Sequence, residues 1–453
     1  MPEGAAPRRA LLIGHGPLPG PGCRQSTFGP QRTLAFAHAL RQSGLELRIV
    51  LMEEGSDPPV EPPPGPWAAT LRRSRAAALA GPLWTGPGPA LVVSAGPYTP
   101  ALIAAHHRGD APWIADLPGD PFAELQAAAD GAPLPPGAAD DARAIATRTL
   151  AEADHLLVIS APQRLACLGQ LGLLGRLGAA SGAERVQVCP ISAPALDAEG
   201  APLPARAPRV RAPGEPLRVL VGGALNGWQA LDALIGGVER ALDAGAPLEL
   251  HLSGGAGGAL APAQEAQLRA FLERRASDGR VIAHGWLEEG ALEALEARCH
   301  VGLSLDGPGL EPELGSRTRL LRWTWAGLGL LGSARCALAA ELAAVGGLRV
   351  IDAQPEAVAA ALGALASGAL DPAATVSAAQ ACIAEIAHPD VALAPLRALA
   401  RAPSRAPAAA LPWARLPAAL HAAQAELAAI HASPTWRALS WAHRGLRRLG
   451  GRG

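Results

Sequence analysis

The sequence predicts an α/β protein with two Rossmann-like, doubly wound parallel-sheet domains that face a cleft, followed by a helical basic C-terminal tail. Three observations predict this fold. Short apolar segments alternate with segments of helical periodicity, which is typical of βαβ units. The alternation stops once near the middle of the chain and then restarts. The 453 residues, 49% of them apolar, are enough for two packed cores.

In the first half, strand and helix segments follow one another closely, and we predict a first domain over residues 1–195. A proline-rich loop at 53–66 and a polar loop after residue 116 separate some of them. The predicted elements are strand 10–13, helix 31–43, strand 45–52, strand 90–94, helix 99–107, strand 112–116, helix 138–152 and strand 155–159.

Residues 196–216 are rich in Pro, Ala and Arg without periodicity, which predicts an interdomain linker. The alternation then restarts and predicts a second domain over 217–395. Its predicted elements are strand 217–222, helix 229–244, strand 247–252, helix 263–276, strand 280–283, helix 288–298, strand 301–305, helix 317–326, strand 328–332, helix 337–345, strand 348–351 and helix 355–366.

The end of the chain, 396–453, is predicted as an Ala/Pro-rich linker with a helix at 418–431 and a basic tail at 434–453. The tail carries five arginines and no acidic residue. As a helix it would have one partly apolar stripe beside a basic face, which suits an anionic membrane surface. Docking on the protein's own acidic surface, or a frayed end, is the alternative.

Composition excludes several classes of protein. The net charge is −1, so nothing indicates a nucleic-acid partner. The six cysteines are scattered, which argues against a zinc site or a disulfide framework and favours a reducing, cytoplasmic location. Lysine is absent, so any anion site must use arginines, helix N-termini or backbone N–H groups.

The first strand ends in Gly14-x-Gly16, with Gly20 further on. A dinucleotide fingerprint requires a helix to open directly on its last glycine. The prolines that follow delay the helix by many residues, so we favour a loop over an acceptor cleft, which would include His15, over an NAD site.

The most specific pattern is Gly315-Ser316-Arg317-Thr318-Arg319 at the start of a predicted helix. With Ser316 as N-cap, both arginines would lie in the first turn, where they oppose the helix dipole. A bound anion would reverse that penalty, since N–H groups and guanidinium groups would all point at it. Pairing of the arginines with Glu311 and Glu313 is the alternative.

Two further groups follow strands, where ligands bind in open α/β sheets. In the second domain, Gly223 would let the backbone approach a ligand and Asn226 offers both a donor and an acceptor, although Gly-Gly is also ordinary turn chemistry. In the first domain, Asp116 stands where a catalytic or hydroxyl-binding group belongs, whereas Asp120 before Pro121 is interpreted as a helix cap.

Four segments resemble a bacterial branch of the GT-B-fold glycosyltransferases, the group-one enzymes of glycosyltransferase family four. The segments are Gly223 to Trp228, Leu252 to Gly255, His284-Gly285-Trp286, and Glu313 to Arg319 with Trp325-Ala-Gly-Leu328. The last is fairly specific and the others are individually weak. The likeness covers roughly residues 8–395.

The resemblance implies a retaining, metal-independent hexosyltransferase with a nucleotide-diphosphate sugar as donor and no other cofactor. It places the acceptor, a glycan, lipid-linked sugar or protein, in the first domain, near Asp116 and His15. The donor would be held in the second domain by Glu313, Gly223, Asn226 and Trp228. Ser316, Arg317 and Arg319 would stabilise the departing diphosphate.

The sequence also departs from that family. Arg322 occupies the position of an acid that contacts the nucleotide ribose, Gly329 replaces a proline, and the donor-domain lysine is missing. Two other functions therefore stay open: a catalytically degenerate glycosyltransferase that binds glycan or protein, and a tandem-Rossmann NAD-dependent oxidoreductase.

Overall fold

A computed structural model describes most of the chain. The described residues are 8–19, 28–52, 70–84, 88–131, 137–178, 182–193, 196, 200–256, 260–406 and seven scattered positions between 423 and 436. The predicted loop at 53–66 and most of the predicted tail helix and basic tail lie outside them. Cys23 does too, and the other five cysteines are buried thiols.

The first domain is a seven-stranded parallel sheet with the strand order β3-β2-β1-β4-β5-β6-β7. Neighbouring residues of β1 alternate between the two cores that cover the sheet, since Leu11 packs on one face and Leu12 on the other. The strands are β1 Arg9–His15, β2 Glu46–Met52, β3 Thr70–Arg73, β4 Leu91–Ser94, β5 Trp113–Leu117, β6 His155–Val158 and β7 Val186–Val188.

Six α-helices connect these strands. They are α1 Phe28–Gln42, α2 Arg75–Ala80, α3 Thr99–His107, α4 Pro121–Gly131, α5 Ala138–Glu152 and α6 Ala161–Leu173. The polar loop expected after residue 116 contains α4, so that interpretation was wrong in part. The flanking Gly and Pro residues hid a good helix former, and Asp120 caps it as expected by accepting hydrogen bonds from the N–H groups of Phe122 and Ala123.

The second domain is a six-stranded parallel sheet with the order β10-β9-β8-β11-β12-β13. Its two faces are also both covered, with Val219 in one core and Leu220 in the other. The strands are β8 Leu217–Leu225, β9 Leu248–Ala256, β10 Val281–Gly285, β11 Val301–Ser304, β12 Gly329–Gly332 and β13 Arg349–Val350. The two parallel sheets confirm the predicted fold class.

The helices of this half include four that the sequence did not indicate: the short α10 and, after α13, the helices α14, α15 and α16. The full set is α7 Leu231–Asp243, α8 Pro262–Arg275, α9 Glu289–Glu296, α10 Glu311–Leu314, α11 Thr318–Trp325, α12 Ala337–Ala344, α13 Pro355–Ser367, α14 Val376–Ile386, α15 Pro389–Ala392 and α16 Ala394–Arg401.

The last helix returns to the first domain. Helix α16 packs against α1, and its Leu396 and Leu399 belong to the same core as Leu12 of β1. Beyond it, the Arg8 guanidinium donates to the carbonyl of Arg401 at 2.9 Å, and the N–H of Ala406 donates to Asp154 at 2.7 Å. Residues 394–406, part of them predicted as linker, therefore complete the first domain.

No single helix among the described residues is long and apolar enough to cross a membrane. The segments Pro355–Ser367 and Pro372–Arg401, bent by 109°, meet that test together by length and composition only.

Candidate functional site

The loops after the strands of the two sheets approach one another, and α10 of the second domain packs against α4 and α6 of the first. Carboxyl ends of parallel strands lie at one edge of each sheet, where ligands bind in folds of this class. The predicted site residues are distributed over these two edges.

Arg317 is buried in a network of carboxylates. Its Nε donates to Asp306 at 2.6 Å, and its two terminal nitrogens donate to Glu311 at 3.1 and 2.8 Å. Burial acts to lower the pKa of Arg317, but these two carboxylates outweigh it and raise the pKa. The pairing with Glu311 is the alternative that the sequence left open, and Asp306 and Glu311 together occupy all three guanidinium nitrogens.

Arg319 differs from its neighbour because no carboxylate in the described structure lies within ion-pair distance of it. Its Nη2 donates to the carbonyl oxygen of Ala224 at 3.0 Å. Burial, followed by the like charge of Arg317, lowers the pKa of Arg319 to about 10. A desolvated arginine that has no acidic partner is suited to binding an anion, which would supply the opposite charge.

Gly223 lies beside this arginine. A Cβ added to Gly223 would meet the Arg319 guanidinium at 3.8 Å, and the φ of Gly223 is +87°, a conformation that side chains rarely adopt. Gly223 belongs to β8, which continues to Leu225 and pairs with β9 throughout, so the expectation that it follows the strand was wrong. Two separately predicted residues thus come together.

The loop with Asn226 and Trp228 follows directly. The carbonyl of Trp228 accepts a hydrogen bond from the N–H of Gly307 at 2.8 Å, next to the Asp306 that holds Arg317. The backbone N–H of Asn226 donates to the side chain of Gln229 at 3.2 Å. The structure therefore connects this predicted donor loop with the Arg317 network.

Ser316 is not the N-cap of α11, contrary to the sequence-based expectation. Helix α11 begins at Thr318, its N-cap is Arg317, and no side chain caps it. The side chain of Arg317 is drawn away by Asp306 and Glu311, which shifts the start of the helix by one residue. Arg319 is then at the second helical position and Arg317 precedes the first turn.

Glu313 points outward and pairs with Arg335 at 2.9 Å, with 52% of its side chain exposed. Glu311 is instead the buried acid of this turn. Because the two acids are two residues apart on the short helix α10, Glu311 points toward the Arg317 network and Glu313 toward solvent.

In the first domain, Asp116 is fully buried at the end of β5. Its two oxygens accept hydrogen bonds from Nε and Nη2 of Arg32 at 3.1 and 2.8 Å. Arg32 also donates to the carbonyls of Cys189 and Pro190. Burial raises the pKa of Asp116, and the charge of Arg32 counteracts this. Asp116 therefore fixes Arg32, and Arg32 rather than Asp116 lines the adjacent cavity.

His15 faces that cavity, which has a volume of 410 Å³ and lies at the carboxyl ends of β1, β4 and β5. Its ring is enclosed by two glycines: a Cβ on Gly29 would lie 3.0 Å from the ring, and one on Gly96 would lie 2.9 Å from Nε2. The backbone N–H of His15 donates to Thr33 at 3.0 Å.

Glu124, which the sequence analysis did not select, lines the same cavity. The hydroxyl of Tyr98 lies 3.3 Å from its Oε2. Burial, followed by the charge of Glu311 across the domain boundary, raises the pKa of Glu124 to about 7. Its position in α4, a helix read as a loop, kept it hidden in the sequence.

Arg322 is paired with acids on a neighbouring helix. It binds Glu296 through Nε and Nη2 at 2.5 and 3.0 Å, and Glu289 through Nη1 at 2.6 Å. The second oxygen of Glu289 is buried without a hydrogen-bond partner. These residues line a cavity of 390 Å³ that also includes Arg32 of the first domain.

Gly329, the other departure from the family pattern, has a packing reason. A Cβ at this position would lie 2.0 Å from the carbonyl oxygen of Pro372, so only glycine fits. The glycine at position 329 is therefore explained by the packing of β12 against the segment after α13.

Two further resembling segments adjoin each other. His251 and His284 are stacked and share a hydrogen bond of 3.0 Å. Trp286 is 52% exposed, and its Nε1 would lie 3.6 Å from a Cβ on Gly255. Among the described residues, no group of three or more His, Cys, Asp or Glu side chains could hold a metal ion.

The sequence matches no protein-family model and no curated protein sequence. The fold, however, is similar to solved structures over their whole length. Sucrose-phosphate synthase from Thermosynechococcus elongatus is 15% identical with a TM-score of 0.59, covering 87% of this chain and 98% of the other.

Two more solved structures show the same likeness. The E. coli trehalose-6-phosphate protein bound with UDP-2-fluoro glucose is 14% identical with a TM-score of 0.57, covering 88% and 100%. Anabaena HepE in complex with UDP and glucose is 12% identical with a TM-score of 0.58, covering 87% and 100%. These neighbours have the GT-B fold, and this chain has it as well.

Proposed function

We propose that this protein is a glycosyltransferase that transfers a hexose from a nucleoside-diphosphate sugar. One observation carries the proposal: Arg319, desolvated and with no acidic partner among the described residues, lies against the positive-φ Gly223 at the carboxyl edge of the second sheet. A diphosphate would supply the missing charge, and the absent Cβ lets it approach the backbone.

The donor site consists of residues from three adjacent loops. Arg319 and the N–H groups near Ser316 stabilise the departing diphosphate, while Arg317 holds the loop in place through Asp306 and Glu311. Asn226 and Trp228 flank the sugar. The exposed face of Trp286 is available for the nucleobase, because aromatic faces stack on bases regardless of their identity.

The neighbours with UDP-sugars or UDP support UDP-hexose as the first donor to test. The acceptor, a glycan, a lipid-linked sugar or a protein, enters the cavity beside His15. We propose that the transfer retains the configuration of the anomeric carbon and needs no metal ion, because arginine takes the place of a metal cation. A cytoplasmic location and membrane contact through 434–453 stay predictions, and liposome flotation of the chain ending at Ser433 tests the latter.

The decisive experiment is isothermal titration of UDP, GDP, dTDP and NAD(H) into the wild type, Arg319→Ala and Arg274→Ala. Arg274 is a matched control, because it is a surface arginine paired with Glu239 on α7. We expect one nucleoside diphosphate to bind the wild type and the control equally. Arg319→Ala should weaken it by about 1.5–3 kcal/mol, roughly 10- to 150-fold.

Other outcomes identify the alternatives. Binding of NAD(H) alone would indicate an oxidoreductase. Nucleotide binding without release of UDP from any donor would indicate a degenerate glycosyltransferase. Equal affinity in Arg319→Ala and the wild type would contradict the site itself.

A further inference from the structure

We propose that Glu124, positioned by Tyr98, binds the attacking hydroxyl of the acceptor and takes its proton. The inference rests on the proposed function and names the residue that acts on the acceptor side.

The backbone near Glu124 is built to accommodate its carboxylate. A Cβ on Gly119 would lie only 2.5 Å from Oε1 of Glu124, and the φ of Gly119 is +138°. Any side chain at 119 would therefore displace the acid. Gly96 and Gly29 leave space for His15 in the same way, so both polar groups of this cavity depend on glycines.

Tyr98, the only tyrosine of the chain, is held in a strained conformation. Its φ is +61°, and among the described residues no other non-glycine has a positive φ. Such strain persists where the surrounding structure requires it, and it clusters at functional sites. Here it directs the hydroxyl to a point 3.3 Å from both Glu124 Oε2 and the Pro121 carbonyl oxygen, either of which can accept its hydrogen bond.

The charges around Glu124 leave it without a cationic partner in the described structure. Its α4 neighbour Asp120 caps the helix, and Glu311 faces it from α10. Arg317, the cation that influences it from the second domain, is bound to Asp306 and Glu311. In the cavity itself, Arg32 is bound to Asp116, and the ring of His15 shares the wall.

This arrangement suits proton transfer near neutral pH. Burial raises the pKa of Glu124 to about 7, the range in which a general base is most effective. As the acceptor oxygen bonds to the anomeric carbon from the face that the diphosphate leaves, the bond from that carbon to the diphosphate oxygen breaks and the configuration is retained. The bonding electron pair leaves with the diphosphate at Arg319, and the hydroxyl proton passes to the Glu124 carboxylate.

The test is the pH dependence of UDP release from the UDP-hexose that binds. Release is measured with water as acceptor and with p-nitrophenyl glycosides of glucose, galactose, mannose and N-acetylglucosamine. The variants are Glu124→Gln, Tyr98→Phe and the control Glu152→Gln, an acid of the same domain that pairs with Arg148 on α5. Titration of UDP accompanies each variant.

We expect wild-type release to rise tenfold per pH unit below about pH 7 and then level off. Glu124→Gln should lose this dependence and at least about 100-fold in rate, with unchanged UDP affinity. Tyr98→Phe should move the midpoint to higher pH, because the tyrosine hydrogen bond favours the ionised acid. Glu152→Gln should behave as the wild type.

Wild-type rates and pH dependence in Glu124→Gln would overturn the assignment, and so would a wild type that binds UDP-hexose but releases no UDP to any acceptor. A protein that binds no nucleoside diphosphate would instead refute the proposed function, so the two failures are distinguishable.

Discussion

The carboxyl edges of the two sheets carry opposite unpaired groups. At the first edge, the cation Arg32 is neutralised by Asp116, and the acid Glu124 has no cationic partner in the part of the chain that the structure describes. At the second edge, the acids Asp306 and Glu311 are both bound by Arg317, and among the described residues no acid lies within ion-pair distance of the cation Arg319.

This difference separates supporting ion pairs from ligand-facing groups. A pair that is bidentate and buried maintains the loop that carries it, whereas a desolvated group without a counter-charge is poised for a ligand. In the proposed reaction, the first edge provides the group that takes the proton, and the second provides the cation that binds the departing diphosphate.

The largest expected effect distinguishes the two arginines of the second edge. Arg317→Ala should lower the free energy of unfolding by about 3–5 kcal/mol, because Asp306 and Glu311 would stay buried without a counter-charge. Arg319→Ala should leave it level or raise it, since a desolvated cation near a helix N-terminus is removed. Urea unfolding of the ligand-free proteins measures both free energies. Equal losses in the two variants would contradict the distinction between Arg317 and Arg319.

A smaller effect is expected at Arg322. Arg322→Glu should destabilise the protein by about 2–4 kcal/mol, because the new acid would face Glu289 and Glu296 in a partly buried site. The exchange variant Arg322→Glu with Glu296→Arg should recover part of this loss. If the exchange variant recovers stability but not nucleotide affinity, Arg322 belongs to the ligand site. If Arg322→Glu loses no stability, the ion pairs of Arg322 with Glu289 and Glu296 do not stabilise the protein.

The smallest effect concerns Glu124 and pH. Its folded-state pKa of about 7 exceeds the value of 4.5 expected for an unfolded chain, so the folded state binds the proton more tightly. Stability should therefore decrease as the pH rises from about 4.5 through 7, by about 1–2 kcal/mol after allowance for solvent screening. Glu124→Gln should flatten this slope in urea titrations at pH 5 and pH 8, whereas an unchanged slope would show that another group causes it.

The sequence predicted the fold well because periodicity depends on local residues. Buried strands such as β1 and β8 are largely apolar segments, and their positions were confirmed within a few residues. The short edge strand β3 and the helix α4 were not predicted, because flanking Gly and Pro residues interrupted the pattern.

The site could be predicted only in part, since side-chain pairing is decided by tertiary structure. Arg319 and Gly223 were selected separately. Their contact could not be predicted, because the two residues are 96 positions apart in the sequence. Arg317 and Asp116 were selected for their residue types, but both are bound to protein partners. Arg317 is held by the nearby Asp306 and Glu311, whereas Asp116 is held by Arg32, 84 positions away. Glu124 depends on the strained Tyr98 and on Gly119, neither of which has a signature in the sequence.

The return of α16 to the first sheet has a consequence for how the domains could be separated. Leu396 and Leu399 fill an apolar seam of the first domain, although they are encoded after the second. A fragment ending at residue 195 would therefore expose that seam and be prone to self-association. Conversely, a single protease cut in 196–216 would leave two pieces that stay together, because α16 of the second piece packs non-covalently on the first domain. Such a nicked protein is a natural starting point for split-reporter complementation, because each piece holds part of the other's core.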